Sequence, residues 1–266
     1  STGVSIADIN ADGFLDIYVS NSGDIKGDNK QNELYINNGD LTFTEMAADY
    51  GLDDTGYSTH AAFFDYDRDG DLDCYLLNNS YKGGFRITNI GTNQRPIRDS
   101  VGGDKLFRND DGYFNDVSEE SGIYGSVIGF GLGVTVGDVN NDGWMDIYVS
   151  NDFFERDYLY INNADGTFSE ELEYQSKSIS AASMGADMAD INNDGYSEIF
   201  VTDMLPEPDE RIKTVTTFDN WDRHQYIKTS GYWNQFTRNT LQLNNGDNTF
   251  SELRRFTGVQ APDWSG

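Results

Sequence analysis

Oxygen-bearing side chains recur at positions 1, 3, 5 and 9 of a short loop, four times along the chain. The copies are Asp8, Asn10, Asp12 and Asp16; Asp65, Asp67, Asp69 and Asp73; Asp138, Asn140, Asp142 and Asp146; and Asp190, Asn192, Asp194 and Glu198. A glycine follows position 5 each time (Gly13, Gly70, Gly143, Gly195), where a chain wrapping round an ion must turn sharply. Hard oxygen ligands alternating along a short loop suit calcium, which takes 6 to 8 oxygens at about 2.3–2.6 Å. Asp, Asn and Gly also make ordinary turns, but ordinary turns do not demand acids at positions 1, 5 and 9 in every copy. The expectation is one calcium ion per loop, about four in all.

The loops begin like an EF-hand, which needs a Glu six residues after its Gly and a helix on either side. Here the sixth residue after Gly is Val19, Leu76, Val149 or Val201. The outgoing segments Asp16-Ile-Tyr-Val19, Asp73-Cys-Tyr-Leu76, Asp146-Ile-Tyr-Val149 and Glu198-Ile-Phe-Val201 are β-branched and aromatic, and read as strands. The spacing therefore excludes the EF-hand and makes each loop a strand-to-strand connection.

Four landmarks recur per unit. A five-residue strand A precedes each loop (Gly3 to Ala7, His60 to Phe64, Gly133 to Gly137, Gly185 to Ala189), and strand B follows it. Strand C is marked by Leu34, Leu106, Leu159 and Leu241, and strand D opens at Phe43, Phe114, Phe168 and Phe250. From the strand C Leu to the strand D Phe is 9, 8, 9 and 9 residues, whereas from the first loop Asp to the strand C Leu is 26, 41, 21 and 51. The length variation thus falls between strands B and C. Four short strands per repeat predict an all-β fold, a β-propeller of four-stranded antiparallel blades with the loops between strands A and B. The blades are expected at about 3–57, 58–127, 128–182 and 183–260, with a further blade starting at 261–266. Four blades are expected to form part of a larger propeller, so further blades of the same polypeptide are expected partners. In a propeller the A–B loops lie on one face and the variable B–C insertions on the other, where binding residues concentrate.

Asp and Glu number 46 against 18 Lys and Arg, for a formal charge of −28. So acidic a chain excludes nucleic acid as a partner, and no apolar run of membrane-spanning length occurs. Crowded carboxylates without cations would oppose folding, so ion binding and stability should be linked. The single cysteine excludes an internal disulfide; Cys74 aligns with Ile17, Ile147 and Ile199 and reads as a small buried apolar residue. The chain opens without Met or a signal peptide and reads as processed or trimmed. Free calcium is scarce in the cytosol, so an extracellular or cell-surface location is expected.

The repeated D-x-[DN]-x-D-G-x-x-[DE] between two strands resembles the FG-GAP/VCBS repeat of integrin-type propellers. Asp203-Met-Leu-Pro-Glu207, Asn239 to Gly246 and Ala261-Pro-Asp-Trp-Ser265 further resemble bacterial secreted proteins with an ASPIC/UnbV-type module, and the cartilage acidic protein group. The resemblance implies a propeller of about seven blades stapled by calcium. It also implies that the backbone oxygens of Phe14, Asp71, Trp144 and Tyr196, at position 7, join the ligands of each ion. Two departures stand out: Asp67 replaces the usual Asn at position 3, and Glu198 replaces Asp at position 9, so the fourth site should be looser or bidentate.

The insertion from Leu205 to Arg238 carries Trp221, His224, Tyr232 and Trp233, either an aromatic platform for a sugar or peptide or its own small core. Residues 219–228 are expected to form a short helix. The insertion from Asn78 to Gly103 carries Tyr81, Phe85, Arg86, Arg95 and Arg98, either a site for an anionic partner or simple pairing with carboxylates. Phe153 and Phe154 complete the candidate ligand face, and His60 stands where the other blades have Gly3, Gly133 and Gly185, near the central channel. No Ser/His/Asp or Cys/His arrangement declares itself, and no catalytic residue is assigned. The leading expectation is a non-enzymatic module binding an extracellular protein or glycan through the insertion face. A polysaccharide lyase or hydrolase with its site near His60, and a purely architectural segment, are the alternatives.

Overall fold

A computed structural model of the chain describes residues 1–23, 26–81, 93–205, 209–215 and 221–259. Four antiparallel four-stranded sheets follow one another, each built from consecutive strands A to D. Blade 1 holds β1 (Gly3–Ala7), β2 (Asp16–Ser20), β3 (Glu33–Asn37) and β4 (Phe43–Glu45), followed by the short helix α1 (Ala47–Tyr50). Blade 2 holds β5 (Ser58–Phe64), β6 (Asp73–Asn78), β7 (Lys105–Asp110) and β8 (Tyr113–Asp116). Blade 3 holds β9 (Gly131–Gly137), β10 (Asp146–Asn151), β11 (Tyr158–Asn162) and β12 (Phe168–Glu170), followed by α2 (Leu172–Gln175). A two-residue strand β13 (Ile179–Ser180) precedes β14 (Gly185–Ala189) and β15 (Glu198–Thr202) of blade 4. The long insertion adds α3 (Asp209–Val215), α4 (Trp221–Thr229) and β16 (Gln235–Phe236), and β17 (Thr240–Asn244), β18 (Phe250–Glu252) and α5 (Arg254–Thr257) finish the described chain. Strand A starts two residues earlier than expected in blades 2 and 3, and α4 lies within two residues of the expected helix; Asp219 lies outside the described residues. β13 pairs with β16 in parallel, a connection the sequence did not announce.

The innermost strands pack in sequence: β1 on β5, β5 on β9 and β9 on β14. Side chains bond across these joints, Ser5 Oγ to the Ala61 carbonyl at 2.5 Å and Thr59 Oγ1 to the Gly131 carbonyl at 3.1 Å. The fold is an all-β propeller array, and its core is divided among the joints between blades. Period-two alternation explains how. In β6, Cys74 and Leu76 pack with Tyr18 and Leu34 of blade 1, while Tyr75 and Leu77 pack with Ile147, Val149 and Tyr158 of blade 3. In β10, Tyr148 turns the other way to meet Ile199 and Val201 of blade 4. Both faces of β6 and β10 are buried throughout, so these strands read as near-continuous apolar runs. In β2 only alternate residues are buried, and Val4 and Ile6 of β1 are 53% and 62% exposed on the face turned from blade 2.

The shorter C–D turn of blade 2 has a local cause. Asp111 and Gly112 both adopt positive φ (55° and 93°), the two-residue turn favoured by Asp-Gly. Backbone meets backbone closely where the B–C insertion of blade 2 passes the D–A connection. A Cβ on Gly103 would lie 2.5–2.6 Å from the backbone of Gly125. Gly103→Ala should therefore lower stability by roughly 1–3 kcal/mol, as overpacking does, with equilibrium urea unfolding as the check.

Candidate functional site

The four A–B loops share one self-supporting geometry. In the first, Asp8 accepts the N–H groups of Asp12 (3.0 Å) and Gly13 (2.9 Å), and Asp12 Oδ1 accepts that of Phe14 (2.8 Å). Asp138 and Asp142, and Asp190 and Asp194, repeat the pattern with distances of 2.8–3.2 Å. The fourth residue of every loop (Ala11, Arg68, Asn141, Asn193) lies in the left-handed region at φ 57–62°. A carboxylate oxygen has lone pairs beyond one N–H bond, so this scaffold turns the acids inward and leaves them capacity for a cation.

The ninth residue does more than face the loop centre. Asp16 is buried, accepting Ile9 N at 2.9 Å with one oxygen and Asn37 N at 2.9 Å with the other. Asp73 and Asp146 do the same with Tyr66 and Asn109, and with Val139 and Asn162. Each thus ties loop to strand C. Glu198 keeps the loop bond, Ile191 N at 2.9 Å, but its longer side chain turns its second oxygen to Asn192 Nδ2 at 3.3 Å. The substitution has displaced the brace to strand C.

The second loop is the most crowded. Carboxylate oxygens of Asp65, Asp67 and Asp73 lie within 4.8 Å of one another, the one such gathering among the described residues. Its N–H bonds to Asp65, Asp67 and Asp69 are long, at 3.2–3.3 Å. One oxygen each of Asp65 and Asp71 is buried without a hydrogen-bond partner. Burial, then repulsion from the neighbouring carboxylates, pushes the Asp71 carboxyl up to about 6. Asp73 reaches about 7, chiefly through burial. Buried orphaned oxygens among converging acids are the donor set of a hard divalent cation, and the residues present fit one.

The opposite face is held by a second four-fold device. The residue two before each strand C Leu accepts the backbone N–H at the end of strand B. Asn32 accepts Asn21 N (2.8 Å), Asp104 Asn78 N (2.9 Å), Asp157 Asn151 N (2.8 Å) and Asn239 Asp203 N (2.7 Å). Tyr75 and Tyr148 donate their hydroxyls to Asp104 (3.0 Å) and Asp157 (2.7 Å). These clamps fix the feet of the B–C insertions whatever their length.

The insertions are also stitched together. Arg95 is buried and reaches Glu155 Oε1 with Nη2 at 2.6 Å and the Gly231 carbonyl at 3.0 Å. The rings of Tyr124, Tyr158 and Tyr232 surround its guanidinium at 5.8–6.0 Å. Arg98 donates to the Ile123 carbonyl at 2.7 Å. Of the two readings of this basic insertion, pairing holds for Arg95. Tyr232 is fully buried against Ile128 and Ile227 in the insertion's own core. It is withdrawn from the candidate ligand face, because a ring sealed on both sides offers a ligand no surface. Trp233 is half-buried, packed on the core between blades 3 and 4, and its Nε1 donates to the Ser176 carbonyl at 2.8 Å.

Other candidates fall into two groups. Tyr81, 65% exposed, meets Tyr57 at 4.6 Å and Phe130 at 6.4 Å, and Phe130 meets Phe153 at 4.8 Å. Phe153 holds φ 67°, uncommon for a bulky residue. Phe154 is half-buried beside it. Trp221, 72% exposed, lies 6.0 Å from His224, which lies 5.6 Å from Phe236. His60 is half-buried on β5, with its pKa lowered by burial. Phe85 and Arg86 lie outside the described residues.

The FG-GAP-like repeat profile matches residues 8–76, 97–149 and 138–201. The chain belongs to the FG-GAP-like repeat family. The matched FG-GAP segments that open at Asp8 and Asp138 begin on the first acid of a loop, and their ends at Leu76 and Val201 fall inside a strand B. Mouse integrin alpha-3 is similar, 30% identical over 99 residues, which cover 32% of this chain and 9% of the integrin. The chain thus spans about a tenth of that relative's length. Among solved structures, this FG-GAP-like chain is similar to one on recognition of non-reducing terminal N-acetylglucosamine by an Agrocybe aegerita lectin. They share 16% identity over 93% of this chain and 64% of the other, with a TM-score of 0.42. Rhamnogalacturonan lyase YesW is 15% identical over 76% of this chain and 40% of its own, with a TM-score of 0.38.

Proposed function

We propose that this FG-GAP-like propeller is stapled by calcium in its A–B loops and binds a protein or glycan outside the cell through the face that carries the B–C insertions. The observation that carries the calcium reading is the second loop, where three carboxylates converge and buried oxygens of Asp65 and Asp71 lack partners. Asp8, Asn10 and Asp12, with Asp138, Asn140 and Asp142, and Asp190, Asn192 and Asp194, repeat its frame. The residues at positions 1, 3, 5 and 9 (Asp16, Asp73, Asp146 and Glu198 at the ninth) would hold each ion, with the position 7 backbone oxygens. A bound ion would offset the mutual repulsion of the acids. The insertion face supplies exposed Tyr81 and Trp221 on a clamped scaffold, and no catalytic role is assigned to any residue. Integrin-type repeats and the calcium demand favour the extracellular side; no helix among the described residues is long and apolar enough to cross a membrane.

Thermal unfolding in excess EDTA against millimolar calcium tests the first half, with bound metal counted by native mass spectrometry. One site at a hundredfold excess over its Kd contributes about 2.7 kcal/mol, and about 2–4 °C accompanies each kcal/mol at this size. The expected result is about four calcium ions and an upward shift of at least about 5 °C. No bound metal and no shift would reduce the loops to turns. A glycan array and a panel of matrix proteins, each probed with wild type and with a Tyr81→Ala, Trp221→Ala double variant, test the second half. Binding that the double variant retains in full would move the ligand site elsewhere.

A further inference from the structure

The fourth residue of each loop contributes no ligand at its own site. In two blades it reaches the loop of the next blade instead. Arg68, fourth in the second loop, places its guanidinium 5.2 Å over the ring of Trp144, position 7 of the third loop. Its Nη1 would lie 3.4 Å from a Cβ on Gly143, position 6 of that loop. Asn141, fourth in the third loop, donates Nδ2 to the carbonyl of Gly195 at 2.7 Å, position 6 of the fourth loop. The left-handed backbone at Arg68 (φ 62°) and Asn141 (φ 60°) accompanies both reaches.

A second set of bonds runs the opposite way along the same joints. Asn162 of blade 3 donates to the carbonyl of Tyr66, second residue of the second loop, at 2.8 Å. Asn244 of blade 4 donates to the carbonyl of Val139, second residue of the third loop, at 2.7 Å. Among the described residues, the joint between the first and second loops has neither link. Ala11 has no donor to extend, and Asn109, which aligns with Asn162, donates within its own blade to the Leu72 carbonyl at 3.3 Å. Among the described residues, therefore, loops two to four form a linked series and loop one stands apart.

We infer that Arg68 and Asn141 are positioning residues that couple cation binding between successive loops, so that the second, third and fourth loops fill cooperatively and the first fills independently. The inference rests on the calcium reading above. An ion in one loop fixes positions 3 and 5, and so fixes the residue between them. That side chain then holds positions 6 and 7 of the next loop, beside the backbone oxygen expected to meet the next ion. The second ion orders less chain and binds more tightly, and the coupling is reciprocal. Coupling of the usual size corresponds to about 5-fold or more in affinity per joint.

Native mass spectrometry of the whole chain during a calcium titration resolves the species carrying none to four ions. The expected result for wild type is a depleted population with two ions at half-saturation and a titration steeper than independent sites allow. Arg68→Ala with Asn141→Ala copies the residue that the first loop already uses at this φ. It should return the populations to the statistical distribution and weaken the later ions about 5-fold or more, while in EDTA the variant still unfolds cooperatively, with a melting temperature lower by only about a few degrees. Arg68→Lys, which keeps a cation over Trp144, should retain part of the coupling. Four ions distributed statistically in wild type would overturn the coupling and leave the calcium reading intact. A double variant indistinguishable from wild type would remove Arg68 and Asn141 from any coupling. No bound calcium would sink both.

Discussion

Arg95→Ala should cost about 3–5 kcal/mol of stability, the loss that follows when one partner of a buried ion pair is removed. Glu155 is left fully buried, with Ser126 Oγ at 3.3 Å and the Arg156 N–H at 2.8 Å as its remaining donors. The effect should spread, because Arg95 also holds the Gly231 carbonyl and is packed by tyrosines from three segments. Equilibrium urea unfolding reads the loss, and a double change, Arg95→Met with Glu155→Leu, should recover most of it because no charge is then stranded. A loss below about 1 kcal/mol in the single variant would mean that the pair is open to water and that the insertions are held by something else.

The second large effect concerns Asp104 and Asp157. Both are buried and neither has a cationic partner in its clamp. Burial is the main cause that pushes each carboxyl from 3.8 up to about 7, outweighing bonds from the backbone and from Tyr75 or Tyr148. A carboxyl raised in the folded state favours folding while it is protonated. Its contribution is complete below the unfolded value near 3.9 and is lost as pH rises through about 7. Between pH 4 and 8 each therefore works against stability by an amount on the order of 2–4 kcal/mol. Asn32 and Asn239 occupy the same place in blades 1 and 4, so the clamp accepts an amide. Asp104→Asn with Asp157→Asn should stabilise the protein at pH 8 and leave it near wild type at pH 4. Urea midpoints across that range, in saturating calcium so that loop acids do not titrate, are the measurement. A double variant whose difference from wild type stays constant with pH would show that the two carboxyls do not titrate there.

The loops and the strand order were legible because both are spacing rules. Acids at 1, 3, 5 and 9 followed by Asp-Ile-Tyr-Val specify a loop and its outgoing strand with no knowledge of what lies across the sheet. The clamps at Asn32, Asp104, Asp157 and Asn239 were equally periodic, two residues before each strand C Leu. Asn and Asp at a strand boundary nevertheless look like turn residues, and their partners are backbone N–H groups that no sequence displays. By spacing alone the ninth-position acids look like ligands and nothing more. Their burial and their bonds to strand C depend on register, which brings Asp16 beside Asn37 across 21 residues. Tyr232 was the least legible residue. It became core only because Arg95, from an insertion more than a hundred residues earlier, arrives on one side of it and Ile128 and Ile227 on another.

Cys74 sits at the joint of blades 1 and 2, with no exposed surface and its thiol pushed well above the ordinary range by burial. Thiolate, the reactive form, is doubly withheld from solvent reagents. The chain thus carries its own chronometer: the rate at which a dilute alkylating reagent labels this one sulfur reports how often that joint opens, without any label being introduced.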